Sequence, residues 1–72
     1  METQTTIGIT INGEARAVPA GLRVDGLLGQ LGLHPRLVVV EHNRVILDRA
    51  HYDETEVHAG DTFELVHFVG GG

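Results

Sequence analysis

The sequence predicts a small α+β domain in which one helix lies over one face of a mixed sheet. Three observations lead there. A segment alternating apolar and polar residues runs straight into Asn12-Gly13. One later stretch carries apolar residues at helical spacing, and two β-branched segments fill the second half of the chain.

Thr6-Ile7-Gly8-Ile9-Thr10-Ile11 has a period of two, which puts Ile7, Ile9 and Ile11 on one face. Asn12-Gly13 is a strong hairpin signal because both residues tolerate positive φ. Glu14 to Val18 returns as a second strand, with Ala15 and Ala17 on one face and Arg16 and Val18 on the other; Pro19-Ala20-Gly21 ends it. Val24, Leu27, Leu28 and Leu31 follow at i, i+3, i+4 and i+7, one face of a short helix. Asp25 suits the positive end of the helix dipole, and Gly32 stands where a left-handed cap belongs, with Leu33 able to pack back. Arg23 is a poor N-cap, and Gly26 and Gly29 each cost roughly 1 kcal/mol against Ala. Such a helix needs the sheet beneath it.

His34-Pro35 breaks the chain, and Leu37 to Glu41 reads as an inner strand. His42-Asn43-Arg44 reads as a turn, Val45-Ile46-Leu47 as a short edge strand, and Arg49 to Tyr52 as one helical turn within a polar loop. Gly60-Asp61 is a second turn signal before a closing strand, Thr62 to Val69. On that strand Phe63, Leu65, His67 and Val69 share one face, and Glu64, Val66 and Phe68 share the other. If the helix covers the first set, Val66 and Phe68 remain as an apolar docking patch; the plainer alternative is that Phe68 folds over a local edge.

With 72 residues and no Cys, the chain forms one domain without disulfides or thiolate metal sites. Aromatics make up 4%, so Val, Leu and Ile must build the core. A net charge of −5, with all five basic residues dispersed arginines, argues against nucleic acid. Acidic residues gather late, at Asp48, Asp53, Glu54, Glu56, Asp61 and Glu64, and read as a solvated surface or a field that steers a basic partner. The absence of Lys disfavours a modifier that forms chains of itself. No apolar run approaches the roughly 20 residues of a membrane span, and the N-terminus lacks the pattern of a signal peptide, so a cytoplasmic location is expected.

Residues 1–69 are expected to form the domain and 70–72 a flexible tail. Gly70-Gly71-Gly72 lacks Cβ atoms and can thread a narrow cleft, which suits a protein whose working group is its own α-carboxyl. Frayed ends are also often glycine-rich.

Taken together, the layout resembles the ubiquitin-like β-grasp fold, and within it the ThiS-type sulfur carrier proteins of thiamin biosynthesis. The matching elements are Ile11-Asn12-Gly13-Glu14, Leu27-Leu28 with Leu31-Gly32-Leu33, Val38 to Asn43 leading into Val45-Ile46, and Gly60-Asp61. The closing His67-Phe68-Val69-Gly70-Gly71-Gly72 is the most specific piece. The resemblance implies a carrier, not an enzyme, with no stably bound cofactor. A ThiF-like adenylating enzyme would use ATP to activate the Gly72 carboxylate as an acyl-adenylate. A persulfide donor would convert it to a thiocarboxylate, and thiazole synthase would take the sulfur. Gly70 and Gly71 would form the slender tail, and Val66, Phe68 and Val69 would meet partners. Three glycines stand where two suffice, which leaves Gly70 as a spacer.

Two other functions share the pattern: a carrier of the molybdopterin synthase small-subunit type, and a ubiquitin-like protein modifier. The first usually has a longer chain and a proline-containing approach to its tail, absent here. Five His residues, at 34, 42, 51, 58 and 67, lack metal-ligand spacing. His51 with Asp48 or Asp53 lacks a nucleophile to serve, and Tyr52 reads as packing or a turn anchor.

Overall fold

The computed structural model describes residues 5–68. Asn12 and Gly13 have φ of 50° and 83°, a left-handed pair that joins β1 (Thr6–Ile11) to β2 (Glu14–Pro19) in register. Two left-handed residues match the twist of the strands they connect. Asn43 and Arg44 repeat the device, at 50° and 71°, between β3 (Val38–His42) and β4 (Val45–Leu47). The closing strand β5 (Thr62–His67) lies in the middle of a sheet ordered β2-β1-β5-β3-β4. It runs parallel to β1 and antiparallel to β3, so the sheet is mixed and β4 is an edge.

The helix α1 (Val24–Gln30) packs Val24, Leu27 and Leu28, all fully buried, onto the sheet. They meet Ile9, Ile11, Val18, Val38, Val40 and Phe63, with Tyr52 and Val57 from the loop closing the core. Arg23 makes no side-chain cap. Instead the Val24 amide donates to the Thr55 carbonyl (2.9 Å), the Asp25 amide to that of Tyr52 (3.0 Å), and the Gly26 amide to Asp25 Oδ1 (2.8 Å). All three orphan donors of the first turn are thus satisfied, two of them by distant backbone. At the other end Gly32 has φ of 71°; its amide reaches the Gly29 carbonyl, and the Leu33 amide reaches that of Leu28. This is the Schellman arrangement that Gly32-Leu33 predicts.

Leu37 departs from the expected inner strand. Pro35 opens a 3₁₀ turn over Pro35–Leu37, His34 Nδ1 accepts from the Arg36 amide (3.2 Å), and the strand begins only at Val38. A second 3₁₀ turn, Arg49–His51, stands where one helical turn is expected, with Asp48 accepting from the Ala50 amide.

A Cβ at Gly29 would meet nothing within 4 Å, and one at Gly26 would press on Leu22 Cδ2 at 3.3 Å. Gly29→Ala is therefore expected to stabilise the domain by about 1 kcal/mol, and Gly26→Ala by less. Urea unfolding of both variants checks the order.

Candidate functional site

Pairing across the sheet determines which side chains the helix leaves uncovered. Phe63 faces His42 and Leu65 faces Val40, on the covered side. Val66 faces Val39 and Glu64 faces Glu41, on the open side, where Ile46 continues the row from β4. The two-sided pattern expected of the closing strand is present: Phe63 is 1% exposed, Val66 54% and Phe68 53%. Phe68 does not fold over an edge. Its amide donates to the Leu37 carbonyl at 2.7 Å, which holds it one rung beyond the last residue of β5. Ile46, 64% exposed, and half-buried Val39 extend the apolar patch, with Glu41 and Glu64 at its border. Val69, Gly70, Gly71 and Gly72, the rest of the expected site, lie outside the described residues.

The start of β5 holds a network that sequence reasoning missed. Asp61, grouped there with a solvated acidic surface, is only 9% exposed. Its carboxylate accepts from the His58 amide (2.9 Å), His42 Nε2 (2.8 Å) and Asn43 Nδ2 (3.2 Å). His42 also stacks on Phe63, with ring centroids 4.8 Å apart. Burial works against ionisation of Asp61. The His58 amide, His42 and Asn43 outweigh it and hold the carboxyl below its ordinary range. His42 and Asp61 stand 19 residues apart, and each reads alone as a turn residue, so no local signal joins them.

The ThiS family model matches residues 9–72 of this sequence. The chain belongs to the ThiS family. A thiazole synthase from Paramagnetospirillum magneticum is 44% identical over 64 residues, covering 89% of this chain and 20% of that protein. One from Magnetococcus marinus is 41% identical over the same shares. The chain thus spans only a fifth of the length of these two relatives. The sulfur carrier protein ThiS of Bacillus subtilis is 41% identical over 49 residues, 68% of this chain and 74% of the relative. A crystal structure of a thiamine biosynthesis protein (ThiS) from Geobacter metallireducens superposes with a TM-score of 0.76 at 37% identity. It covers 92% of this chain and 100% of its own. The fold is the β-grasp of the ThiS family.

The remaining candidates of this ThiS-family chain have structural surroundings. The Tyr52 hydroxyl is buried and donates to the Val38 carbonyl at 2.9 Å, so Tyr52 is core packing and an anchor together. His51 pairs with Glu54, which raises its pKa, instead of lying against Asp48 or Asp53 as drawn from sequence. No group of three or more His, Asp or Glu among the described residues is placed to hold a metal ion. No helix among them is long and apolar enough to cross a membrane.

Because the folded pKa of Asp61 lies below its unfolded value, its stabilisation is complete above the ordinary carboxylate range. It drains away as pH falls through the folded pKa, from about pH 4 downward. Asp61→Asn presents donors to donors, so it is expected to cost about 1–3 kcal/mol at neutral pH and to flatten the acid limb of stability. Urea titrations across the acid range, on both proteins, test this.

Proposed function

We propose that this ThiS-family chain is a sulfur carrier of thiamin biosynthesis that works in the cytoplasm as a protein co-substrate. Gly72 bears the sulfur as a thiocarboxylate, and thiazole synthase receives it. The observation that carries the reading is the family match, which runs through Gly72. Thiazole synthase as acceptor is supported by the two relatives of that name, each of which contains a segment similar to this chain within one polypeptide.

The chemistry follows from the weakness of a carboxylate as an electrophile. Its oxygen is a poor leaving group until a ThiF-like enzyme joins it to AMP, releasing pyrophosphate from ATP. The outer sulfur of a persulfide donor can then attack the acyl carbon as AMP departs, giving an acyl disulfide. A thiol attacks the donor's sulfur, forms a disulfide with it and frees the thiocarboxylate. A sequence without Lys has no Gly-x-x-x-x-Gly-Lys loop, so ATP binding falls to the activating enzyme. The carrier itself supplies reach and docking. Gly70 and Gly71 have no side chains to obstruct a narrow channel. Val66 and Phe68, with Val69 after them, form the apolar centre of a contact whose border carries Glu41 and Glu64, which suits a partner with a basic rim.

Incubation with the activating enzyme, ATP, a persulfide donor and a thiol reductant is expected to raise the intact mass by the difference between sulfur and oxygen. Deletion of Gly72 should abolish that gain while leaving the unfolding transition unchanged. A gain that survives deletion would place the sulfur elsewhere. Loaded carrier should in turn lose its sulfur to thiazole synthase in a single-turnover assay.

Phe68→Glu places a charge at the centre of the patch and is expected to weaken binding to the activating enzyme about tenfold or more. Calorimetry measures this, and an unchanged affinity would remove Phe68 from the contact.

A further inference from the structure

Backbone groups along β5 alternate in direction. Asn43 donates to the Thr62 carbonyl and Phe68 to that of Leu37, so the even-numbered residues bond toward the β3 side. The odd-numbered ones bond toward β1, where the Asn12 amide donates to the Phe63 carbonyl at 2.9 Å. But the β1–β5 ladder ends at Ile11 and Phe63, and the next odd residue is Leu65. On the β1 side, no strand of the described residues pairs with it. Asn12 fills the place with its side chain: Oδ1 accepts from the Leu65 amide at 2.8 Å, and Nδ2 donates to the Leu65 carbonyl at 3.3 Å. One carboxamide thereby acts as an extra rung, supplied by a residue already required at positive φ.

We propose that Asn12 is a positioning residue for the loading reaction: its side chain holds the exit end of β5 on the β1 side and so sets where Val66, Phe68 and the tail meet a partner. Without it, β5 beyond Phe63 is held on the β3 side alone. This rests on the carrier reading for its link to loading, but the mechanical part stands on geometry. Asn43 is the natural comparison. It makes the same kind of clamp, with Oδ1 accepting from the Thr62 amide at 2.9 Å, but at the opposite end of the strand. It also occupies a left-handed turn position with the same φ of 50°.

The test compares Asn12→Gly with Asn43→Gly in the full chain, since glycine keeps either turn. Hydrogen exchange of the Phe68 amide is read against that of Leu27 in the helix, which cancels global destabilisation. In Asn12→Gly the Phe68 amide, whose Leu37 acceptor is untouched, is expected to exchange about tenfold faster relative to Leu27. Asn43→Gly should leave that ratio unchanged. With the activating enzyme, Asn12→Gly should raise KM for the carrier several-fold at unchanged kcat. An unchanged Phe68 ratio in Asn12→Gly, or an equal rise of KM in both variants, would overturn the proposal. A wild-type chain that takes up no sulfur would instead defeat the carrier reading, and the exchange comparison would still decide the role of Asn12 in holding the exit.

Discussion

A strand with partners on both sides cannot slip by one residue without breaking two ladders and turning every side chain to the opposite face. β5 is in that position, between parallel β1 and antiparallel β3. Phe63 anchors it, fully buried among Ile11, Val40 and the helix residues of the core. Once Phe63 and Leu65 face inward, Val66 and Phe68 must face outward, because the side-chain period is two. The exposed patch is therefore a consequence of the packed core. A slipped register would bury Glu64 and expose Phe63, at a cost the domain could not bear. The same constraint fixes where the chain leaves the sheet.

A domain of this size, without disulfides, has little surplus to spend on irregular parts. The helix shows how they are held. Two interior glycines weaken it by roughly 1 kcal/mol each. Burial of Val24, Leu27 and Leu28 returns roughly 2 kcal/mol or more apiece, which outweighs that loss only if the helix stays against the sheet. The carbonyls of Tyr52 and Thr55 keep it there by taking the first-turn amides, and the Tyr52 hydroxyl ties the same loop to β3 through Val38. Loop, helix and sheet are thus joined by polar contacts that each serve two elements.

The parts legible in the sequence are those whose signal is local. Asn12-Gly13 specifies its turn because both residues accept positive φ, and Val24 to Leu33 specifies a helix and its cap by spacing and by Gly32. The break between β3 and β4 was legible, but one residue too wide, since His42 closes β3 and only Asn43-Arg44 form the turn. Its left-handed Arg44 was not legible, since an L-residue with a long side chain resists that region. Asn43 explains how it is tolerated: its side chain bonds both Thr62 and Asp61 across the sheet. The helix start was legible only as a weakness, because its caps come from backbone some thirty residues away. Asp61 misled, since two of its three partners, His42 and Asn43, are distant in sequence and leave no mark on its neighbours. On β5, period two put Val66 and Phe68 on the face that the structure leaves exposed, whereas the rung supplied by Asn12 depends on where β1 ends.

The open face carries two features that weaken the free domain. Val66, Phe68 and Ile46 leave apolar surface in water. Glu41 and Glu64, directly opposite one another on the same face, repel. Neither is needed for the core, which packs on the other side of the sheet. A surface with an apolar centre and a cationic rim would relieve both at once, since contact removes the exposed carbon from water and supplies charge to the paired carboxylates. A net charge of −5 sets up a repulsion between copies of the chain that works against their meeting through this patch.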